Sequence, residues 1–258
     1  MKPKVVILCG GKGTRLREET ENKPKPLVKV GNFPILWHIM KHYAHYGYND
    51  FILCLGYKGE QIKDYFINYK FYRWDLQLNL KYGIKSFMQD MAEVEDWDIT
   101  FADTGQETNT GGRVKKIEKY IDGDYFFLTY GDGLSNVNLH ELERFFLRKG
   151  KTGVITGIRP RSKYGEIAVD PEGIITEFKE KPFLDNFING GFCVFSRKIF
   201  DYMDENCILE NEVFEQLVSM RELAVYVHEG FWKCMDTYKD YQELNEMWYG
   251  GNSPWKVY

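Results

Sequence analysis

This 258-residue chain has no marked excess of either charge: 34 Lys and Arg stand against 38 Asp and Glu, a formal net charge of −4. That leaves no electrostatic reason to expect nucleic acid or an anionic membrane as a partner. No apolar stretch approaches the roughly 18 residues that a membrane-spanning helix needs. The N-terminal apolar run is far too short for a signal peptide. Cysteine is scarce: Cys9, Cys54, Cys193, Cys207 and Cys234 are odd in number and include no Cys-x-x-Cys, so neither a zinc knuckle nor a redox motif is supported. Most sit in apolar runs, where a thiol acts as a small hydrophobe. A reducing, cytoplasmic setting is the expectation. There is no internal repeat, no low-complexity linker and no hexapeptide pattern of a left-handed β-helix. No Ser-His-Asp or Cys-His arrangement suggests itself. The pair His38 and His42 has helical spacing but lacks the glutamate of a His-Glu-x-x-His zinc site, and it reads as packing.

What is present is alternation. Apolar residues at Ile35, Leu36, Ile39, Met40 and Tyr43 predict a helix from Pro34 to Tyr46, ended by Gly47. Strands are expected at Asp50–Leu55, Ile99–Ala102 and Tyr125–Tyr130, and helices at Glu60–Tyr69, Gly111–Tyr120 (capped by Thr110) and Leu139–Arg148. This order argues for an α/β, doubly wound sheet with helices on both faces. The second half reads as short strands, Val154–Ile158, Ile167–Val169, Ile174–Phe178, Phe192–Phe195 and Ala224–Val227, with helices Val213–Met220 and Tyr238–Trp248. The chain is expected to be one domain with halves of about 1–150 and 151–258. The stretch from 70 to 97 is long, aromatic and charged, and reads as an insertion covering or flanking a site.

The most informative segment is the first. The apolar run Lys4 to Cys9 stops at Gly10-Gly11-Lys12-Gly13-Thr14-Arg15-Leu16, and Lys23-Pro24-Lys25-Pro26-Leu27 follows. Glycine has no Cβ, so such a turn brings backbone N–H groups against a polyphosphate, with Arg15 and Lys25 supplying formal charge. A Walker loop fails, because Lys12 is followed by Gly13 rather than Ser or Thr. A dinucleotide fingerprint fails as well: the third glycine is missing, and Lys23 and Lys25 lie where an acid is wanted. A plain strand-to-helix turn is the alternative.

Two acids stand at the ends of other strand-like runs. Asp132, in Tyr130-Gly131-Asp132-Gly133, follows the strongest strand, and ligands in open α/β sheets lie beyond such carboxyl ends. Asp236 lies in Met235-Asp236-Thr237. Two aspartates with phosphate oxygens and water suit Mg2+. The competing readings are a turn residue for Asp132, an N-cap for Asp236 and a solvated first-turn residue for Arg113. Glu180-Lys181, Asn189-Gly190 and Tyr164-Gly165 form a further polar group suited to a sugar phosphate, with Lys181 neutralising charge and Glu180 and Asn189 reading ring hydroxyls.

The chain resembles the sugar nucleotidyltransferases, motif for motif, in Gly-Gly-x-Gly-Thr-Arg-Leu followed by Lys-Pro. The resemblance extends over almost all of it through Leu36-Trp37-His38-Ile39-Met40-Lys41, Gly56-Tyr57-Lys58-Gly59, Asp103-Thr104-Gly105 with Thr110-Gly111-Gly112-Arg113, Tyr130-Gly131-Asp132-Gly133, Gly230-Phe231-Trp232 with Met235-Asp236-Thr237, and Pro254-Trp255-Lys256. These look like the branch that uses CTP to make CDP-glucose. The resemblance implies a Rossmann-like mixed sheet of the nucleotidyltransferase type with a small β-rich extension for the sugar phosphate. It implies nucleotide binding by Leu8, Cys9, Gly10, Gly11, Lys12, Gly13, Thr14 and Arg15, with Lys25, Thr108, Arg113 and Gly131. It also implies catalysis by Arg15, Lys25 and Asp132, and Mg2+ on Asp132 and Asp236. The implied partners are CTP and a sugar 1-phosphate, and the implied assembly is a homo-oligomer, often a hexamer. Cys9 stands where alanine is usual and Lys12 where an apolar residue is common. The rivals are the same fold with dTTP, UTP or GTP, or with another sugar 1-phosphate, and a silent regulatory module.

Overall fold

The computed structural model describes residues 2–87, 94–162 and 164–258. Strand β1 (Val5–Leu8) enters the glycine turn, and 3-10 turns at Thr14–Leu16 and Lys25–Leu27 bracket helix α1 (Arg17–Thr20). A short pair, β2 (Lys29–Val30) and β3 (Phe33–Pro34), leads to α2 (Ile35–His45) and β4 (Asp50–Leu55). Next come α3 (Gly59–Ile67), α4 (Tyr69–Arg73), and the antiparallel β5 (Leu76–Asn79) and β6 (Gly83–Phe87). Then follow β7 (Asp98–Asp103), α5 (Thr110–Lys116), β8 (Tyr125–Tyr130), β9 (Gly133–Ser135) and α6 (Leu139–Lys149). The second half supplies β10 (Gly153–Ile158), β11 (Glu166–Val169), β12 (Ile175–Lys179), β13 (Ile188–Ser196), α7 (Phe214–Ser219), β14 (Leu223–His228), β15 (Trp232–Cys234) and α8 (Tyr238–Tyr249).

Seven strands form one mixed sheet in the order β14-β10-β13-β8-β1-β4-β7. Strands β8, β1, β4 and β7 are parallel, whereas β13 runs antiparallel to both its neighbours. Strand β8 shows why the sheet is buried on both sides: Phe127 points into one core cluster while Phe126 and Leu128 point into the other. Helices α2, α6 and α8 cover the first face through Ile39, Leu142 and Leu244, and α5 and α7 cover the second through Val114 and Leu217. The alternation expected from sequence is therefore the fold observed. The 70–97 stretch becomes α4 and the β5–β6 pair, and residues 88–93 lie outside the described residues. Its root docks on α2, where Trp37 Nε1 donates to the Tyr69 hydroxyl at 3.1 Å and Tyr69 donates to Glu95 at 2.7 Å.

One local expectation changes, and one competing reading falls away. The helix begins at Thr110 itself, with Asn109 in the N-cap position and no side-chain capping bond, and the Thr110 hydroxyl donates to Glu210 at 2.6 Å. Asp236 is not the cap of the last helix. Thr237 holds that position in a reciprocal capping box with Asp240, which leaves the Asp236 carboxylate to face elsewhere.

Candidate active site

The cleft lies beyond the carboxyl ends of β1 and β8, with a volume near 460 Å³. Gly10, Gly11, Gly13, Thr14 and Arg15 form one wall and Thr108, Asn109 and Thr110 another, while Gly131 and Asp132 close the β8 side. Two glycines are required by the backbone. Gly13 adopts φ +62°, and the strand-end Gly131 N–H bonds Leu8 O at 3.0 Å, so close that a Cβ there would meet Leu8 O at 3.0 Å.

Four charged side chains from distant parts of the chain meet in this cleft. Lys25 Nζ donates to Asp132 Oδ2 at 2.6 Å and to Asp236 Oδ1 at 2.8 Å. Arg15 Nη1 donates to Asp236 Oδ2 at 2.5 Å. Short pairing between β9 and β15 brings the acids together: Cys234 sits opposite Gly133, and Met235 N–H donates to Asp132 O at 2.9 Å. Burial works against the Lys25 ammonium, but the Asp132 and Asp236 carboxylates outweigh it and its pKa ends raised. Burial likewise opposes the Asp236 carboxylate, and hydrogen bonding to Lys25, with Lys25 and Arg15 nearby, carries its pKa below the ordinary value. Ligand-capable atoms of Asp132, Asp236 and Cys234 all lie within 4.8 Å of one another. Two carboxylates at that separation fit a small hard cation that completes its shell with phosphate oxygens and water. The Cys234 thiol is pushed up by burial and stays a neutral, soft group outside such a shell.

Arg113 is buried and turned inward. Its guanidinium donates to Leu55 O, Thr104 Oγ1, Gly105 O, Gly10 O and Gln106 O at 2.6 to 3.3 Å. It occupies the space where a Cβ on Gly10 or Gly56 would go. It thus stitches the glycine turn to the ends of β4 and β7, which excludes the solvated first-turn reading. Of the other expected nucleotide residues, Leu8 and Cys9 line the cleft, Thr108 lines it with its hydroxyl donated to Thr104 O, and Lys12 pairs at 2.7 Å with Glu107 at the surface.

None of the expected sugar-phosphate residues Tyr164, Gly165, Glu180, Lys181, Asn189 and Gly190 lines this cleft. Gly165 packs against Phe178 and Glu180, and Glu180 pairs with Lys181 at 3.4 Å, all on the exposed ribbon around β11 and β12. Tyr164 is exposed on the same ribbon. Gly190 O accepts from Trp232 Nε1 at 2.7 Å. Asn189 Oδ1 accepts from Gly191 N–H at 2.9 Å. Sequence reasoning missed Glu210, which lines the cleft and accepts hydrogen bonds from Tyr130 and Thr110. It sits in the π-helical turn Leu209–Val213, where no motif marked it.

The fold and the cleft define a nucleotidyltransferase, and the chain belongs to the nucleotidyl transferase family, whose model matches residues 4–248. More particularly, it is 48% identical to the probable glucose-1-phosphate cytidylyltransferase of Bacillus subtilis, over 99% of this chain and all of that protein. It is 40% identical to the glucose-1-phosphate cytidylyltransferase of Salmonella typhi, over 99% of each. Among solved structures, apo UDP-glucose pyrophosphorylase superposes with a TM-score of 0.70 at 17% identity, covering 97% of this chain and 99% of that one, a likeness of fold. No helix among the described residues is long and apolar enough to cross a membrane.

Proposed function

We propose that this chain transfers the cytidylyl group of CTP to α-D-glucose 1-phosphate, giving CDP-glucose and pyrophosphate. The observation that carries this reading is the 48% identity, sustained end to end, with a relative of that name. The cleft supplies the chemistry. A sugar phosphate is already an anion near neutral pH, so its attack on the α-phosphorus needs no general base. The obstacle is repulsion between anions, about 4 kcal/mol for unit charges ~4 Å apart at an effective dielectric near 20. Lys25 and Arg15 offset it. Bonds to Asp132 and Asp236 use two of the three Lys25 N–H donors, which leaves the third for a phosphoryl oxygen. Arg15, three-quarters exposed at the cleft mouth, follows the departing pyrophosphate. The N–H groups of the glycine turn hold the polyphosphate in line. Mg2+ held by Asp132 and Asp236 would neutralise phosphate charge and polarise the α-phosphorus.

The same reading assigns residues 1–150 to the nucleotide and 151–258 to the sugar phosphate, in a cytoplasmic homo-oligomer. The β11–β12 ribbon offers a second copy an apolar surface, with Ile167, Val169, Ile175 and Phe178 each 57–63% exposed; light scattering on the purified chain checks the assembly. The central test is a matrix of four nucleoside triphosphates against several sugar 1-phosphates, read as pyrophosphate release with Mg2+ and with EDTA. CTP with glucose 1-phosphate is expected to exceed every other pair at least tenfold and to fall to background with EDTA. Preference for another triphosphate refutes the assignment.

A further inference from the structure

A cleft built to hold two phosphorylated molecules also contains a carboxylate that no cation neutralises. Among the described residues Glu210 makes no ion pair; its side chain accepts from two neutral hydroxyls, Thr110 Oγ1 at 2.6 Å on one carboxylate oxygen and the Tyr130 hydroxyl on the other. These contacts are themselves anchored. Thr110 Oγ1 accepts from Leu209 N–H at 3.0 Å. The Tyr130 ring packs so closely on Gly191 that a Cβ there would lie 2.7 Å from it. The carboxylate is therefore fixed in orientation, with one hydrogen bond on each oxygen. An ionised carboxylate accepts about four hydrogen bonds, so each oxygen keeps one acceptor position unused by these donors. An unpaired negative charge in a phosphate-binding cleft repels phosphate and attracts neutral hydrogen-bond donors. Its surroundings say which donors. The Tyr130 ring that holds it packs against Gly191 of β13, the strand that carries Asn189, whereas the glycine turn and Arg113 knit the ends of β1, β4 and β7.

We propose that Glu210 reads two ring hydroxyls of the sugar 1-phosphate, one on each carboxylate oxygen, and thereby sets which sugar this site accepts. The inference rests on the proposed transferase reading and deepens it. Tyr130 and Thr110 are positioning residues: they touch the carboxylate and fix its plane.

The experiment is steady-state pyrophosphate release from CTP with glucose 1-phosphate and with each of its mono-deoxy analogues, using wild type, Glu210→Gln and Glu210→Ala. Each hydroxyl bonded to a charged acceptor is worth about 10- to 100-fold in kcat/KM. Wild type is expected to lose that much with two of the analogues. Glu210→Ala should raise the KM for glucose 1-phosphate by 10-fold or more, keep the CTP KM within twofold, and handle those two analogues no worse than glucose 1-phosphate itself. Glu210→Gln keeps one acceptor oxygen and should lose discrimination at only one of the two positions, so this arm decides the matter if the alanine variant does not fold. Undiminished discrimination in both variants overturns the proposal, as does a rise confined to the CTP KM. A wild type that uses CTP with no sugar 1-phosphate refutes the underlying transferase reading instead.

Discussion

Replacing Lys25 with methionine keeps the length of the side chain and deletes its charge. In the protein that charge lies between two carboxylates whose ligand-capable atoms are within 4.8 Å. Two like charges at that distance repel by about 3.5 kcal/mol at an effective dielectric of 20, and Lys25 offsets this with bonds of 2.6 and 2.8 Å. Two consequences follow. In the reaction, losing a single charged donor aimed at a developing phosphoryl charge costs roughly 3–4 kcal/mol, a fall of about 100- to 1,000-fold in kcat. In the free protein, the two acids lose their internal counter-ion. Burial then acts on Asp236 with only Arg15 left to oppose it, so its protonation moves to higher pH and the acid limb of activity moves with it. The freed carboxylates should also bind Mn2+ more tightly in the absence of nucleotide, because the ammonium no longer competes for the same oxygens. Continuous pyrophosphate release gives the turnover, Mn2+ electron paramagnetic resonance gives the affinity, and a thermal melt verifies that the variant is folded. A folded Lys25→Met protein with kcat within about fivefold of wild type would refute the role assigned to this residue.

Arg15 is largely exposed, and its contact with Asp236 is a surface ion pair; Arg15→Gln should change stability by less than about 0.5 kcal/mol yet lower kcat/KM for CTP about tenfold or more, read in parallel melts and kinetics. A Cβ on Gly10 would lie 2.2 Å from Arg113 Nη1, whereas one on Gly11 meets nothing within 4 Å. Gly10→Ala, which must dislodge hydrogen-bonded guanidinium, should therefore cost about 1–3 kcal/mol in denaturant titrations, and Gly11→Ala close to nothing. Burial depresses the pKa of His38 and of His42 from 6.5 to about 4, so between those values the unfolded chain binds protons that the native chain does not. Stability is full above pH 6.5 and is lost as pH falls toward 4, by about 3 kcal/mol per histidine at most. Urea titrations at pH 7.5 and 4.5 should show the decline, and His42→Gln should flatten it.

The fold was legible where one physical signal dominates. Strands Asp50–Leu55 and Tyr125–Tyr130 are continuous apolar runs, and they lie where the run begins and ends. Helix α2 follows its apolar spacing to within a residue at each end. The cation–acid cluster was legible because Arg15 and Asp132 sit in glycine turns at strand ends and Lys25 in the Lys-Pro pair that follows. Other features depend on contacts between distant residues and leave no local pattern. The three-residue pairing of β9 with β15 holds Asp132 near Asp236, yet Trp232–Cys234 is too short to show alternation. The turn bearing Glu210 is shaped by Thr110, a hundred positions earlier. The competing reading of Asp236 as a helix cap fails because the Thr237–Asp240 box holds that position.

Arg113 has a consequence for how the cleft greets a polyphosphate. Its Nη1 and Nη2 groups are bonded to oxygen atoms of the protein itself, mostly carbonyls, while the side chain also lines the cleft. A cation bonded to neutral oxygens still projects its field, worth about 2 kcal/mol to an anion some 8 Å away at an effective dielectric of 20. The guanidinium thus works as a fixed electrode in the wall of the cleft: bonds to the protein hold its position before any anion arrives.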